Sequence, residues 1–204
     1  MDFLILGFIT GLSLILAIGA QNIFVIEQGL KKQYVFIVCL ICSISDLLLI
    51  FLGIFLFEYF KFFFNNAVEL IFNILLFVFL IYFIINKLRT KYDNLNLSLK
   101  NHKHLPINII LKTLGFTYLN PHVYSDTVFF LGNFSKSFLI TDKYYFGIGA
   151  SMASFLFFFS LGYLSKILSK YLVEKKIWKI INLFIVSFMG LIAAYVLNDI
   201  IKSI

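Results

Sequence analysis

The chain has 204 residues, of which 61% are hydrophobic and only 13% are charged, whereas soluble domains are about 45–50% apolar and about 25% charged. This composition excludes a soluble globular domain, and so many apolar side chains equally exclude a disordered chain. We therefore expect an integral membrane protein whose main solvent is the lipid bilayer.

Charged residues divide the sequence into six apolar segments, each long enough to cross a bilayer as a helix. The segments contain 17 to 25 residues, and a spanning helix needs roughly 20, with a range of about 17–25. In chain order they are 3–26, 33–57, 70–86, 113–135, 144–165 and 180–198. They leave no room for a soluble catalytic domain, so residues 1–204 are predicted to form a single transmembrane domain that is not an enzyme.

Lysine and arginine are distributed unevenly between the connections. The loops after the first, third and fifth segments hold 13 of the 17 such residues, and cytoplasmic loops carry this kind of excess. If all six segments span, these loops are cytoplasmic and both termini lie outside; if one of the first three were re-entrant, the N-terminus would lie inside. The net charge of +7 is thus mainly a topology signal, and we expect no nucleic-acid partner.

The polar, basic loop 87–112 divides the chain into halves of three segments each, about 1–86 and 113–204. An offset of 109 residues aligns small or amide side chains of the two halves, namely Ser45 with Ser154, Gly53 with Gly162 and Asn73 with Asn182. An odd number of spans in each half would invert one half relative to the other, as in many secondary transporters. The predicted fold is therefore an all-α integral membrane protein of two inverted three-helix repeats, in which broken helices 1 and 4 flank a substrate site.

Polar residues interrupt the first segment at Gly19–Asn22. Gly19 loosens a helix, while the side chains of Gln21 and Asn22 offer amide donors and acceptors. We expect helix 1 to break or bend at Gly19 and both amides to bind substrate. Glu27 lies at the predicted cytoplasmic edge, where an ordinary interfacial acid is an equally good interpretation.

The second segment carries Asp46 near its centre. A charged side chain at the centre of a membrane helix costs roughly 2.5–3.5 kcal/mol on insertion scales and usually faces the bundle interior or an aqueous cavity. None of the six segments contains a lysine or arginine that could pair with it. On a helix, four small or polar residues lie on the same face as Asp46, namely Cys39, Cys42, Ser43 and Gly53. Asp46 is therefore predicted to face a cavity, although this stripe also suits close helix packing.

The fourth segment contains a helix breaker. Pro121 cannot donate a backbone hydrogen bond and clashes with the preceding turn, and Asn120 followed by proline is typical of an N-cap and a first helical residue. A second half-helix starting at Pro121 would point its free N–H groups and positive dipole end into the membrane, where they attract a carboxylate. A simple kinked span is the alternative.

The same segment carries a second lone acid, Asp126, near its centre. We give it the same interpretation as Asp46, a functional acid that faces the bundle interior. His122 shares its helical face at spacing i, i+4, and a His–Asp pair can pass protons because imidazole titrates near neutral pH.

Two pairs of potential metal ligands lie close together in the sequence, namely Cys39 with Cys42 and His102 with His104. The cysteine pair lacks the second thiol pair or the strand that a metal or redox motif would have, so we interpret it as helix packing. The histidine pair lies in the basic loop and is interpreted as solvated. We expect no metal and no cofactor; the alternatives are a metal-ion exporter using the cysteines with Asp46 and His122, and a membrane-embedded enzyme using the loop histidines.

Several motifs, in order between about residues 7 and 200, together resemble those of the LysE/ArgO-type basic amino-acid exporters. They are Gly11-Leu12-Ser13, Ile18-Gly19-Ala20-Gln21-Asn22, Gln28-Gly29, Ser45-Asp46, Leu119-Asn120-Pro121-His122-Val123-Tyr124 with Asp126, and Ile181-Asn182. The resemblance implies export of L-lysine, L-arginine or both across the bacterial inner membrane, driven by an ion gradient. Many family members have proline where this chain has Ala20, which weakens the prediction of a sharp break in helix 1.

Residue chemistry and resemblance agree on the substrate class. A basic amino acid needs a positive partner for its carboxylate, which the half-helix start at Asn120 and Pro121 could supply, and negative partners for its two cations, which Asp46 and Asp126 could supply. The matching motif adds Tyr124 to the expected substrate-binding residues.

Outward movement of a cation against an inside-negative potential costs roughly 2.3 kcal/mol per 100 mV, so export requires coupling. We expect exchange for protons carried by Asp46, Asp126 and His122, with sodium coupling left open. The alternative substrate class is neutral amino acids such as homoserine, threonine or leucine; exporters of these in the same superfamily usually have a Pro-Gly-Pro-Asn motif in the first span, which this chain lacks. The expected partners are substrate, protons and the lipid bilayer, and nothing in the sequence excludes a homo-oligomer.

Overall fold

The computed structural model of the chain describes residues 2–16, 19–63, 66–89, 106–169 and 175–203. The elements in these ranges are α1 (Asp2–Ile15), α2 (Ala20–Lys31), α3 (Val35–Phe63), α4 (Asn66–Arg89), α5 (Pro106–Tyr118), α6 (Pro121–Tyr124), a π-helix (Ser125–Phe130), α7 (Leu131–Ser135), α8 (Ile140–Leu168) and α9 (Lys175–Ser203). No strand occurs in these ranges, which confirms the prediction of an all-helical chain.

Three helices of the described ranges are long and apolar enough to cross a membrane, over Val35–Phe57, Ile140–Leu168 and Leu183–Lys202. The pair formed by α1 and α2 meets the same criterion together as a fourth, bent span. The apolar part of α4, Leu70–Ile85, is shorter. Several apolar helices thus agree with a multi-pass membrane protein, whereas the arrangement of six spans as two inverted repeats stays a prediction.

The first apolar segment is not one straight helix, because α1 and α2 lie at 83° to each other. Gly19 precedes α2 in an extended conformation and has no side chain that could cap the helix. The first backbone bond of α2 runs from the Ile23 N–H to the Gly19 carbonyl at 3.2 Å. A new helix N-terminus therefore lies within the first apolar segment.

The fourth apolar segment also contains a new helix N-terminus, because α5 ends at Tyr118 and α6 begins at Pro121. The Asn120 Oδ1 atom accepts a hydrogen bond from the His122 N–H at 3.1 Å. Asparagine at the N-cap and proline at the first helical position both favour a helix start here. The chain then continues from α6 through the π-helix into α7.

Helix α8 connects the parts of the bundle, since it packs against α1, α2 and α3. Small residues allow these close approaches: a Cβ atom added at Gly11 of α1 would lie 2.9 Å from the Cα of Ala150. Helix α3 packs in turn against the π-helix and α7, and α4 packs against α9. The outer faces of the bundle expose large apolar side chains such as Leu183 and Phe184, as expected for a surface in contact with lipid.

The two loop histidines, His102 and His104, lie outside the described residues, together with the rest of the connection 90–105 between α4 and α5. The side chain of Asn182, which the offset of 109 aligns with Asn73, also lies outside them.

Candidate functional site

A cavity of about 520 Å³ lies where the two interrupted segments meet the middle of α3 and α9. Its polar lining consists of Gln21, Asn22, Asp46, Asn120, His122, Asp126 and Thr127. Its apolar lining includes Phe158 of α8 and Leu191, Ile192 and Tyr195 of α9. Both lone acids of the membrane segments therefore border the same space.

Asp46 reaches this cavity from α3 and is only 3% exposed. The Ser154 hydroxyl of α8 donates a hydrogen bond to its Oδ2 atom at 2.7 Å. Burial disfavours an unpaired carboxylate. The apolar segments contain no lysine or arginine that could pair with Asp46, so the Ser154 hydroxyl is its polar partner.

Asp126 lies on the π-helix and is half-buried. A π-helical turn widens a helix and is frequent at functional sites. His122 lies four residues earlier and also lines the cavity, with an exposed side chain whose ring centroid is 5.7 Å from that of Tyr195. The predicted His–Asp pair therefore faces the cavity that Asp46 also borders.

The N-termini of the two half-helices lie close together at this cavity. A Cβ atom added at Gly19 would lie 4.0 Å from the Asn120 Nδ2 atom, and both residues line the cavity. The first N–H groups of a helix have no partner inside the helix, and Gly19 offers them no side-chain cap. Two positive helix ends therefore border a space that also contains two acids.

Two side chains form hydrogen bonds across the interruptions. The Asn22 Nδ2 atom of α2 donates to the carbonyl of Ile15, the last residue of α1, at 3.2 Å. The Tyr124 hydroxyl of α6 donates to the carbonyl of Tyr118, the last residue of α5, at 2.9 Å. Each bond gives a partner to a carbonyl that a helix end leaves free.

Not every predicted site residue lines the cavity. Tyr124 and Pro121 lie beside it without lining it, Pro121 being buried at the start of α6. Gln21 lines the cavity and is buried, and its Nε2 atom has no hydrogen-bond partner among the described residues. Glu27 lies outside the cavity, buried in α2, where its carboxylate pairs with Lys31.

The two cysteines are buried in helix packing. The Cys39 thiol donates to the carbonyl of Phe158 at 3.2 Å, which joins α3 to α8. Neither Cys39 nor Cys42 lines the cavity. Within the described ranges, no group of three or more His, Cys, Asp or Glu side chains is arranged to hold a metal ion.

Ser154, Thr127 and Tyr195 also belong to this site, although none of them was predicted from the sequence. One signal for Ser154 was present in the sequence, because the offset of 109 aligns it with Ser45, the neighbour of Asp46. Thr127 and Tyr195 carry no such signal, because their proximity depends on how the π-helix and α9 approach the cavity.

The fold and site define the class of this chain: an all-helical, multi-pass membrane protein with a polar cavity between two interrupted helices. The family profile described as LysE type translocator matches residues 12–199, and the chain belongs to this family.

Similar proteins share most of their length with this chain. It is 34% identical over 197 residues to a protein of Klebsiella pneumoniae (strain 342) named arginine exporter protein ArgO, covering 92% of this chain and 89% of the relative. It is 36% identical, with the same coverage, to the protein of that name from Salmonella enteritidis PT4. The protein of that name from Pectobacterium atrosepticum is 33% identical over 190 residues and 88% of each chain. No solved structure matches the chain.

Proposed function

We propose that this protein exports basic L-amino acids, arginine or lysine, across the bacterial inner membrane as a secondary active transporter. Membership of the LysE family and similarity to proteins named arginine exporters support this substrate class. The observation that carries the proposal is the shared cavity, because Asp46, Asp126 and the two half-helix starts border one space.

The chemistry of this cavity matches a basic amino acid. The substrate carboxylate binds near the helix starts at Gly19 and Asn120, where N–H groups and helix dipoles favour an anion. Asp46 and Asp126 attract the α-ammonium group and the cationic side chain. The apolar side chains of α8 and α9 then contact the aliphatic stem.

Export is coupled to inward movement of protons. A cation that leaves the cytoplasm moves against roughly 2.3 kcal/mol per 100 mV, so an exchanged ion must supply this free energy. Asp46 and Asp126 hold either substrate or protons in turn, and His122 exchanges protons with the open side of the cavity. The exposed ring of His122 and its position one turn from Asp126 support this role.

The architecture we propose is one transmembrane domain over residues 1–204, built from two inverted three-helix repeats joined by the basic loop 87–112. Two equivalent glycine contacts support it. A Cβ atom added at Gly29 of α2 would lie 2.6 Å from the Gly162 carbonyl oxygen, and one added at Gly132 of α7 would lie 2.6 Å from the Gly53 carbonyl oxygen. Gly53 and Gly162 are aligned by the offset of 109.

Further support comes from the interrupted helices themselves. In both halves, a new helix starts inside an apolar segment, and a side chain of its first turn donates to the last carbonyl of the preceding helix. In both halves, this second part then packs against the long helix of the opposite half, α2 on α8 and α7 on α3.

Transport by purified protein in proteoliposomes tests the function. We expect counterflow of radiolabelled arginine or lysine, acceleration by an imposed pH gradient, and proton movement opposite to the amino acid. Transport of leucine or homoserine without arginine or lysine would instead identify a neutral amino-acid exporter. Arginine transport that ignores the pH gradient and moves no protons would refute proton coupling.

A further inference from the structure

The partner of Asp46 lies on the packed side of this acid, away from the cavity. Within the described ranges, the Ser154 hydroxyl is the side chain that donates to the Asp46 carboxylate, and its distance of 2.7 Å is typical of an O–H···O hydrogen bond. Ser154 is 0% exposed and does not line the cavity, whereas Asp46 does.

We propose that Ser154 is a positioning residue for the basic substrate, because it holds one carboxylate oxygen of Asp46 and leaves the other for the cavity. This inference rests on the proposed function of the cavity as a basic amino-acid site. A serine hydroxyl suits this role because it can rotate, donating to a charged carboxylate and accepting from a protonated one. The contact therefore persists in both states of Asp46 that exchange with protons requires.

The helix that carries Ser154 is fixed against α3 on both sides of this bond. Towards one end, the Cys39 thiol of α3 donates to the Phe158 carbonyl of α8. Towards the other end, a Cβ atom added at Gly147 of α8 would lie 3.1 Å from the Ile54 side chain of α3. Packing on both sides fixes the donor relative to the acid, as a preorganised site requires.

Ser151 provides a matched control on the same helix. It lies about one turn before Ser154, is buried, and its hydroxyl has no hydrogen-bond partner in the part of the chain that the structure describes. It does not line the cavity. Ser151→Ala therefore removes a buried hydroxyl from α8 without removing the bond to Asp46.

Arginine binding to the purified full-length protein, measured by isothermal titration calorimetry, tests the inference. We expect Ser154→Ala to raise the Kd about tenfold, which corresponds to about 1.4 kcal/mol, and Ser154→Thr, which keeps the hydroxyl, to stay within about threefold of the wild type. Ser151→Ala should bind like the wild type. Ser154→Ala should weaken arginine binding less in the Asp46→Asn variant than in the wild type, because the two residues act as a unit.

Three results would overturn the inference. The first is wild-type affinity of Ser154→Ala, with Ser154→Cys measured instead if the alanine variant does not fold. The second is an equal loss of arginine affinity in Ser154→Ala and Ser154→Thr. The third is a loss of affinity on Ser154→Ala that is the same with and without Asp46→Asn. The second and third results would both indicate that Ser154 acts through general packing. A wild-type protein that binds no arginine would overturn the proposed function as well, whereas intact wild-type binding alongside any of these results would overturn the role of Ser154 alone.

Discussion

At the scale of single residues, the two acids carry the most specific information in this chain. Asp46 and Asp126 both lie in apolar segments, where a charged side chain is costly and usually marks a functional site. Both line one cavity. Their environments differ, because Asp46 is buried and bonded to Ser154 while Asp126 is half-buried beside His122. We therefore expect the two acids to have separable roles.

Replacement of either acid by its amide should stop arginine export while the protein remains in the membrane. A hydrogen bond to a charged group contributes about 1.5–3 kcal/mol, so Asp46→Asn and Asp126→Asn should each lower the export rate at least about tenfold. Canavanine resistance of an export-deficient strain provides the measurement, and Asp142→Asn, outside the cavity lining, is the control. Full resistance conferred by Asp46→Asn would contradict the account.

The cysteines separate amino-acid export from metal export. Since Cys39 and Cys42 are buried and line no part of the cavity, Cys39→Ala and Cys42→Ala should keep arginine export within about twofold. Weak thiol hydrogen bonds and a small loss of packing explain the remaining effect. A metal-tolerance assay on the same strains tests the alternative of a metal-ion exporter. That function requires the wild type to confer metal resistance and the cysteine variants to lose it.

At the scale of elements, the interrupted helices bring N–H groups to the cavity. Asn120 could be read from the sequence as an N-cap because asparagine before proline has a local, well-known preference. The sequence also predicted an interruption at Gly19. The angle of 83° between α1 and α2 and the π-helical turn around Asp126 were not predicted, because both depend on packing against distant parts of the chain. The bond of Ser154 to Asp46 was not predicted either, because it joins positions 108 residues apart and the alignment of Ser154 with Ser45 does not by itself imply a contact.

Asn120→Ala tests the second helix start. It removes the acceptor for the His122 N–H, and loss of an N-cap costs about 0.5–2 kcal/mol. We expect the KM for arginine to rise several-fold with a smaller change in maximal rate, measured in proteoliposomes. Asn133→Ala, on the exposed side of α7, should behave like the wild type. An unchanged KM in Asn120→Ala would contradict a substrate site at this helix start.

At the scale of the whole molecule, two close glycine contacts join helices from the two halves of the sequence. Gly29 meets Gly162, and Gly132 meets Gly53, at distances that leave no room for a Cβ atom. The apolar segments and the offset of 109 predict two repeats from composition and spacing alone, and this arrangement stays a prediction. How closely the helices approach could not be predicted, because it depends on which glycines face one another.

Gly29→Ala and Gly132→Ala should therefore destabilise the protein to a similar degree. Overpacking typically costs about 1–3 kcal/mol, which a lower thermal unfolding temperature in detergent would report. Gly190→Ala is the control, because a Cβ atom there would meet no atom of the described residues within 4 Å, and alanine should leave stability unchanged or raise it. Destabilisation by one glycine substitution but not the other would contradict the equivalence of the two contacts.

The most direct test of the central claim compares arginine with citrulline, a neutral analogue of nearly the same shape, in binding to the purified protein. We predict that the wild type binds arginine at least about tenfold more tightly, because a charge-assisted hydrogen bond contributes about 1.5–3 kcal/mol. The Asp46→Asn, Asp126→Asn double variant should lose this preference. Equal wild-type affinity for the two compounds, or a preference that survives in the double variant, would contradict recognition of a basic amino acid by these acids.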